Sequence, residues 1–561
     1  MIKKLPDINK LKDKTVASVV DGYDAFFLVE LLKSTKSDIL YIMSDGVSMA
    51  QTADILGFIS PNTKVLTLPA WDTVPYDRVS PNSAIVAQRV ETLSELSLEP
   101  HAKQPRIILA TVSSVLQKLP PAKTFLNSIR EVSVGKELNF NAFLHYATIN
   151  GYRRVEQVME PGEYATRGDI IDIFPVGSED PLRIDLFGDE VEKIRTFDAI
   201  SQRTSGELKS YQFKVMGEMI LDENSIKTFR ANYREAFGAV SNKDEIYEAV
   251  SSGQQYMGME SFLPLFYDEP LPNIFNYLPM AEIVVGRNVF EAIKGKIESI
   301  FDYYVARQDA LKNKNNLQEV DAFRPVKPDT MYLSDKEFSV IIEQKQAIRL
   351  TSLSLPDDDS TINLEVIPAR DFSHNKNQLQ LYKELDEYLK TGEPTERGSL
   401  GRIITCYSEG SRERLFSLMS EHGIKDLTFA DTWKETLAKS KTKTVLTILN
   451  LNHGFKSKDL CFISEQDILG EKRNRKKPKK ASSKDFIADV SSLAVGELVV
   501  HIEHGIGKFL GLENITAGGA PHDCLKILYA NAAKLFVPVE NIDVLSRYGL
   551  EDENVQLDTL G

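Results

Sequence analysis

Cysteine is scarce in this 561-residue chain. Cys406, Cys461 and Cys524 lie far apart and no CxxC pair exists. A zinc ribbon therefore lacks its ligands and a disulfide framework its partners. Long apolar runs are also missing. No stretch reaches the ~18 apolar residues of a membrane span, and the basic start MIKKLPDINKLKDK has no apolar segment behind it. It does not read as a signal peptide. Positive charge is in deficit: 67 Lys+Arg against 81 Asp+Glu leave a net −14. That argues against a protein coating nucleic acid over its whole surface, but leaves room for one local basic patch. No SxxK, GxSxG or HExxH pattern offers a catalytic centre, and no period of about 20–50 residues repeats. Free thiols without leader or span predict a cytoplasmic, soluble protein with no membrane partner.

What is present is ordinary globular composition, with 42% hydrophobic and 26% charged residues. The length predicts about three to five domains. Apolar runs at 15–20, 39–43, 65–68 and 106–110 alternate with helical patterns such as AFFLVELL. That predicts a parallel α/β sheet over residues 1–138. Residues 139–216 change to period-two alternation (RGDIIDIFP, LRIDLFGDEVEKIRTFD), the mark of an antiparallel, half-exposed sheet. Helical patterns return over 217–332, which reads as the second part of the first α/β unit with the β segment inserted. Residues 333–466 read as another α/β domain, with strands near 402–407, 444–449 and 460–464. No chemistry is visible in it. The run EKRNRKKPKKASSK at 471–484 has eight basic residues in fourteen and cannot bury apolar area. Residues 467–486 are therefore expected to be a basic, flexible linker. Short strands with Gly-rich turns at 487–561 predict a small barrel of the SH3 or Tudor type. The fold class is multidomain α/β: a parallel module with an antiparallel insertion, a second α/β domain and a small β barrel.

Three segments taken in order carry a resemblance: LPAWDTVPYDRVSPNSAIVAQRVETLSEL at 68–96, VMEPGEYATRGDIIDIFPVGSEDPLRIDLF at 158–187, and VVHIEHGIGKFLGLENITAGGAPHDCLKILYANAAKLFVPVENIDVLSRY at 499–548. Together they resemble the bacterial transcription-repair coupling factors (Mfd). The first two are shared in weaker form with the helicase UvrB, the third in fold with CarD-type polymerase-binding domains. The resemblance implies transcription-coupled nucleotide excision repair. It also implies a RecG-like translocase, using ATP and Mg and gripping double-stranded DNA, that lies beyond this chain. The chain is thus expected to hold docking domains without a motor, and no cofactor of its own.

A nucleotide site needs a Gly-rich loop, a lysine for the phosphates and a hydroxyl for magnesium. The corresponding stretch here is Asp21-Gly22-Tyr23-Asp24-Ala25-Phe26. Ala25 and Phe26 stand where UvrB-like proteins carry lysine and threonine, and Asp24 would repel a phosphate. The acidic motif closing a later strand is replaced by Gly286-Arg287. The site is degenerate, and no catalytic residue is expected. His501, Glu503 and His504 invite a metal reading, but 501 and 503 share a strand face while 504 points away, and turn or interface packing is the expectation.

In the insertion, Arg167 sits at a turn, and Arg183 and Phe187 fall on one face of LRIDLF; an arginine beside an aromatic is typical of interface hot spots. The resemblance implies that Arg167, Arg183 and Phe187 contact UvrA. In the barrel, Gly505, Gly507 and Gly518-Gly519 are expected at tight turns. The stretch Leu512-Glu513-Asn514-Ile515-Thr516 is expected on an edge strand, able to pair with a partner. The resemblance implies that Leu512, Asn514, Ile515 and Thr516 dock on the β subunit of RNA polymerase. Two other readings are a UvrB-like DNA helicase or damage-binding enzyme, against which Ala25 and Gly286 speak, and a CarD-like transcription regulator. The direct run from Tyr76 to Ser83 also leaves no room for a long DNA-wedging hairpin.

Overall fold

The strands ILYIM and IILAT are apolar throughout, as strands covered by helices on both faces must be. In the computed structural model they lie buried as the fifth and sixth strands of a seven-stranded parallel sheet. The structure describes residues 8–100, 102–240, 244–312, 323–374, 377–390, 401–470, 498–501, 505–517, 520–530, 533–538 and 545–547. The chain divides into two units, Met1–Lys472 and Arg473–Gly561. The first sheet runs, edge to edge, Thr361–Asn363, Thr15–Ala17, Ile348–Leu350, Glu282–Val285, Ile39–Met43, Ile107–Thr111, Val65–Leu68. The strand Glu282–Val285 thus returns the chain to the sheet that holds Ile39–Met43.

Two boundaries differ from the sequence reading. The strands Ile348–Leu350 and Thr361–Asn363 flank Thr15–Ala17 in parallel, so the start of the 333–466 segment completes the first sheet. Periodicity locates a strand but not the sheet it joins. The first strand also stops at Ala17, three residues short of the expected end, because Ser18 turns left-handed at φ 59°.

The insertion forms a six-stranded sheet in the order Thr204–Leu208, Glu190–Phe197, Leu182–Phe187, Ile170–Ile173, Glu163–Arg167, Arg153–Arg154. It is antiparallel except for the last pair. Its inner face (Ile171, Ile173, Leu182, Ile184, Leu186) packs on Phe143 and Tyr146 of the helix Phe140–Ile149. A ribbon of Arg130–Ser133 against Ser210–Phe213 carries the chain in and out.

The second α/β sheet has the order Ile367–Pro368, Phe455–Lys456, Leu460–Ser464, Gly401–Cys406, Thr444–Ile448, Leu427–Phe429. Its four central and outer strands are parallel. Ile403, Leu451, Phe455 and Phe462 share one core with the helix Tyr23–Leu32 of the first sheet.

The second unit, taken alone, is a five-stranded antiparallel sheet, Lys534–Pro538, Ala520–Leu528, Gly505–Ala517, Leu498–His501, Leu545–Arg547. Gly505 and Gly507 lie in a strand rather than a turn. A Cβ on Gly507 would come within 2.5 Å of the Ile527 side chain, so close strand packing explains that glycine better. Gly518-Gly519 and the basic run 471–484 lie outside the described residues. Among those described, no helix is long and apolar enough to cross a membrane.

Candidate functional site

A helix N-terminus behind a strand favours an anion, because its first amides point outward unpaired. Gly22, left-handed at φ 77°, turns the chain into the helix Tyr23–Leu32. The anion at that turn comes from the protein itself. Asp24 is buried, its carboxylate accepting from the Ala25 amide at 3.0 Å and from the Tyr41 hydroxyl at 2.8 Å. Burial pushes the Asp24 carboxyl above its usual range, against the opposing pull of Arg287 and the Tyr41 hydroxyl. Arg287 in turn holds Asp21 at 2.5 Å. The Gly286 amide donates to the Ile42 carbonyl at 2.8 Å, and a Cβ on Gly286 would crowd that same oxygen.

The start of this helix is closely packed. Ala25 is wholly buried and Phe26 is 1% exposed. The Phe26 ring stands edge-on to Trp433, Phe455 and Phe462, with centroids 5.7, 5.4 and 5.3 Å away. Leu451 presses on Gly22 closely enough to exclude a Cβ there. The 333–466 segment, in which the sequence showed no chemistry, thus packs aromatic side chains onto the helix start. The signal that could have suggested this is a phenylalanine in place of a hydroxyl residue at the helix start, since a buried ring needs apolar partners.

On the insertion, the outer sheet face carries the predicted residues. Arg167 ends the strand Glu163–Arg167, pairs in register with Ile170 and is exposed. Gly168 at φ 60° opens the two-residue turn between them. Phe187 ends its own strand opposite Glu190, across a turn with Gly188 at φ 64°. Since Ile170 also pairs with Asp185, Arg167 and Phe187 sit at the same rim of the sheet. Phe187 is 82% exposed. Arg183 lies further in, about 13 Å from Phe187 along the strand at ~3.3 Å per residue. It is engaged: Nε and Nη2 donate to both Asp172 oxygens at 2.7 and 2.8 Å, and its guanidinium lies 4.6 Å over the Phe197 ring. Arg195, directly opposite, holds Asp185 in the same two-pronged way at 2.8 and 2.7 Å. The result is a charge-matched lattice. Sequence reasoning missed Asp172, Asp185 and Arg195, because cross-strand register cannot be read from one strand at a time.

In the second unit, the strand Gly505–Ala517 pairs with Ala520–Leu528 from Lys508 to Ala517. On its other side Leu498–His501 reaches only from Gly505 to Lys508. Among the described residues, the segment 509–517 therefore has one backbone edge without a strand. Leu512, Asn514, Ile515 and Thr516 lie in that segment, opposite Leu525, Asp523, His522 and Pro521. His501 is buried in its strand, while Glu503 and His504 lie outside the described residues. Among the described residues, no group of three or more His, Cys, Asp or Glu is placed to hold a metal.

Comparison with known proteins gives three family matches. "UvrB interaction domain" spans residues 131–216, "MFD, D3 domain" 399–468, and "CarD-like/TRCF RID domain" 493–549. The transcription-repair-coupling factor of Escherichia coli (strain K12) is 32% identical over 505 residues, 89% of this chain and 42% of that protein. That of Haemophilus influenzae is 30% identical over 557 residues, 98% of this chain and 46% of that protein. The Bacillus subtilis protein is 26% identical over 573 residues, 98% and 46%. The chain spans less than half the length of these relatives and is related to them along nearly all of its own.

Proposed function

We propose, from the premise that this chain is related to the transcription-repair-coupling factors, that it works as an adaptor joining stalled RNA polymerase to excision repair. One surface, the outer face of the insertion, takes UvrA. A second, the open strand edge at 509–517, takes the polymerase β subunit, on a sheet we read as closing into a small barrel. The observation that carries the reading is Phe187: a large ring, four-fifths exposed, at a rim it shares with Arg167. Exposed apolar groups of that size cost solubility and are characteristic of binding sites when rimmed by charge. The close packing at the start of the helix Tyr23–Leu32 supports an adaptor over an enzyme. ATP, Mg and the grip on double-stranded DNA would then belong to a RecG-like motor outside this chain, which would displace polymerase from the lesion.

Binding to immobilised UvrA tests it. Phe187→Ala and Arg167→Glu are each expected to weaken binding by about 30-fold, the ~2 kcal/mol of a hot-spot residue. Arg183→Glu should do as much, because it unpairs Asp172 as well. Ile515→Arg is expected to abolish binding to the β subunit while leaving UvrA binding unchanged. Full UvrA affinity in the Phe187 and Arg167 variants would sink the first assignment; full β-subunit affinity in the Ile515 variant would sink the second.

A further inference from the structure

The helix Glu223–Phe237 buries Phe229 and Tyr233 and turns another stripe to solvent. On that stripe lie Lys227, Arg230 and Arg234, all exposed and spaced i, i+3 and i+7, so they form one line along the helix. Arginines elsewhere in this acidic protein are mostly matched: Arg89, Arg106, Arg183, Arg195 and Arg287 each face a carboxylate within 4 Å. These three cations are not; no carboxylate of the described residues pairs with any of them. What holds the two arginines is neutral. Arg230 Nε donates to the Tyr247 hydroxyl at 3.4 Å, and the Arg234 guanidinium lies 5.4 Å over the Tyr247 ring. Beside them opens a cleft of about 470 Å³, closed by Gly238, Ala239, Val240, Tyr247 and Glu248. Glu248 is the one carboxylate in its lining.

We propose that Lys227, Arg230 and Arg234 form a binding site for the phosphate backbone of duplex DNA. Seven residues of helix span ~10.5 Å at ~1.5 Å each. One DNA strand presents a phosphate every ~3.4 Å along the axis, so a helix laid along that axis spans about four successive phosphates, enough for each of the three cations to meet one. A phosphopeptide offers one phosphate and would leave two of the three unmatched. Tyr247 orients both guanidinium groups without neutralising them, which keeps their charge available to a polyanion. The net charge of −14 over the whole chain opposes contact spread over the general surface. The inference rests on this helix alone and stands apart from the two docking surfaces.

Fluorescence anisotropy of the whole chain with a labelled duplex of about 20 base pairs, over ~50–200 mM KCl, tests it. Three phosphate contacts predict a contribution of about −2.7 to the slope of log affinity against log salt. Arg230→Ala should reduce the slope by about 1. The triple change K227E/R230E/R234E should reduce it by about 2–3 and lower affinity at least tenfold at the lowest salt. Thermal melting of the variants shows that the fold survives these surface changes. Unchanged slope and affinity in the triple variant overturn the proposal, and place any binding in the basic run 471–484 instead. Inhibition by inorganic phosphate beyond that of chloride at equal ionic strength also overturns it, since that is the behaviour of a single-phosphate pocket.

Discussion

Phe26→Ala asks whether the second α/β domain is held on the first by the ring at the start of the helix Tyr23–Leu32. Phe26 is 1% exposed and contacts three aromatic rings of that domain edge-on, at 5.3–5.7 Å between centroids. Truncating a buried phenylalanine costs about 3–5 kcal/mol, through lost transfer energy and the cavity left behind. Each edge-on pair contributes about 0.5–1.5 kcal/mol beyond burial, which places the expected loss toward the upper end, near 4–5 kcal/mol. At ~2.1 cal/mol/K of unfolding entropy per residue, the unit Met1–Lys472 should melt roughly 4–5 °C lower if it unfolds as one. Urea unfolding followed by tryptophan fluorescence is informative, since Trp433 packs on Phe26 and lies in the same core. Hydrogen exchange should rise in Gly401–Cys406 and Leu460–Ser464, the strands nearest the lost ring. Phe26→Leu should cost less, because it keeps most of the apolar volume. A loss under about 1 kcal/mol, within the range of ordinary substitutions, with exchange unchanged in those strands, would refute this role of the ring.

Asp24→Asn should stabilise the protein at neutral pH. Burial raises the folded-state pKa of Asp24 above 3.8, so the folded chain holds that proton more tightly than the unfolded one. Wild-type stability therefore falls as pH climbs from about 4 through the raised value, and the variant escapes that fall. Urea titrations from pH 4 to 8 should show its advantage vanish at the acid end; a less stable variant at pH 7 would mean that Arg287 outweighs burial. Arg89→Ala should cost about 3–5 kcal/mol, because it strands Glu218 beside Trp71 in a site where Arg89 and Glu218 are 0% and 2% exposed; a circular-dichroism melt within a degree of wild type would contradict this. Nucleotide should not shift the melting temperature, since ligand stabilisation grows as RT ln(1 + [L]/Kd) and the helix start is closely packed; a shift with ATP and Mg, absent with Mg alone, would overturn the degenerate-site reading.

The strands Ile39–Met43, Val65–Leu68 and Leu460–Ser464 were legible to the residue, because a short apolar run between turn signals has few other uses. What packs against the start of the helix Tyr23–Leu32 was not legible. The contact between Phe26 and Phe455 joins residues more than 400 positions apart, and no local pattern encodes such a pairing. The same limit explains why the sequence reading named neither Ile348–Leu350 nor Thr361–Asn363: each is three residues long, too short to state its neighbours.

The insertion shows where a partly legible site changes meaning once register is known. Period two put Arg183 and Phe187 on one face and made them look alike as contact residues. The sheet separates them. Phe187 has solvent around it, while Arg183 is locked to Asp172 and stacked on Phe197. Two like charges directly opposite, Arg183 and Arg195, would repel; the carboxylates of Asp172 and Asp185 cancel that repulsion and leave the outer face with little net field. A partner reaching this face meets a nearly neutral lattice, so the free energy available to it lies in burying Phe187 and engaging Arg167 at the rim. Association should then depend on salt only weakly, about one ion pair's worth, whereas a surface of unpaired arginines would give a steep dependence. Measuring UvrA affinity against ionic strength separates the two: a steep loss with salt, carried by Arg183, would mean that the Asp172 pairing opens on binding and that the lattice is not the docking form.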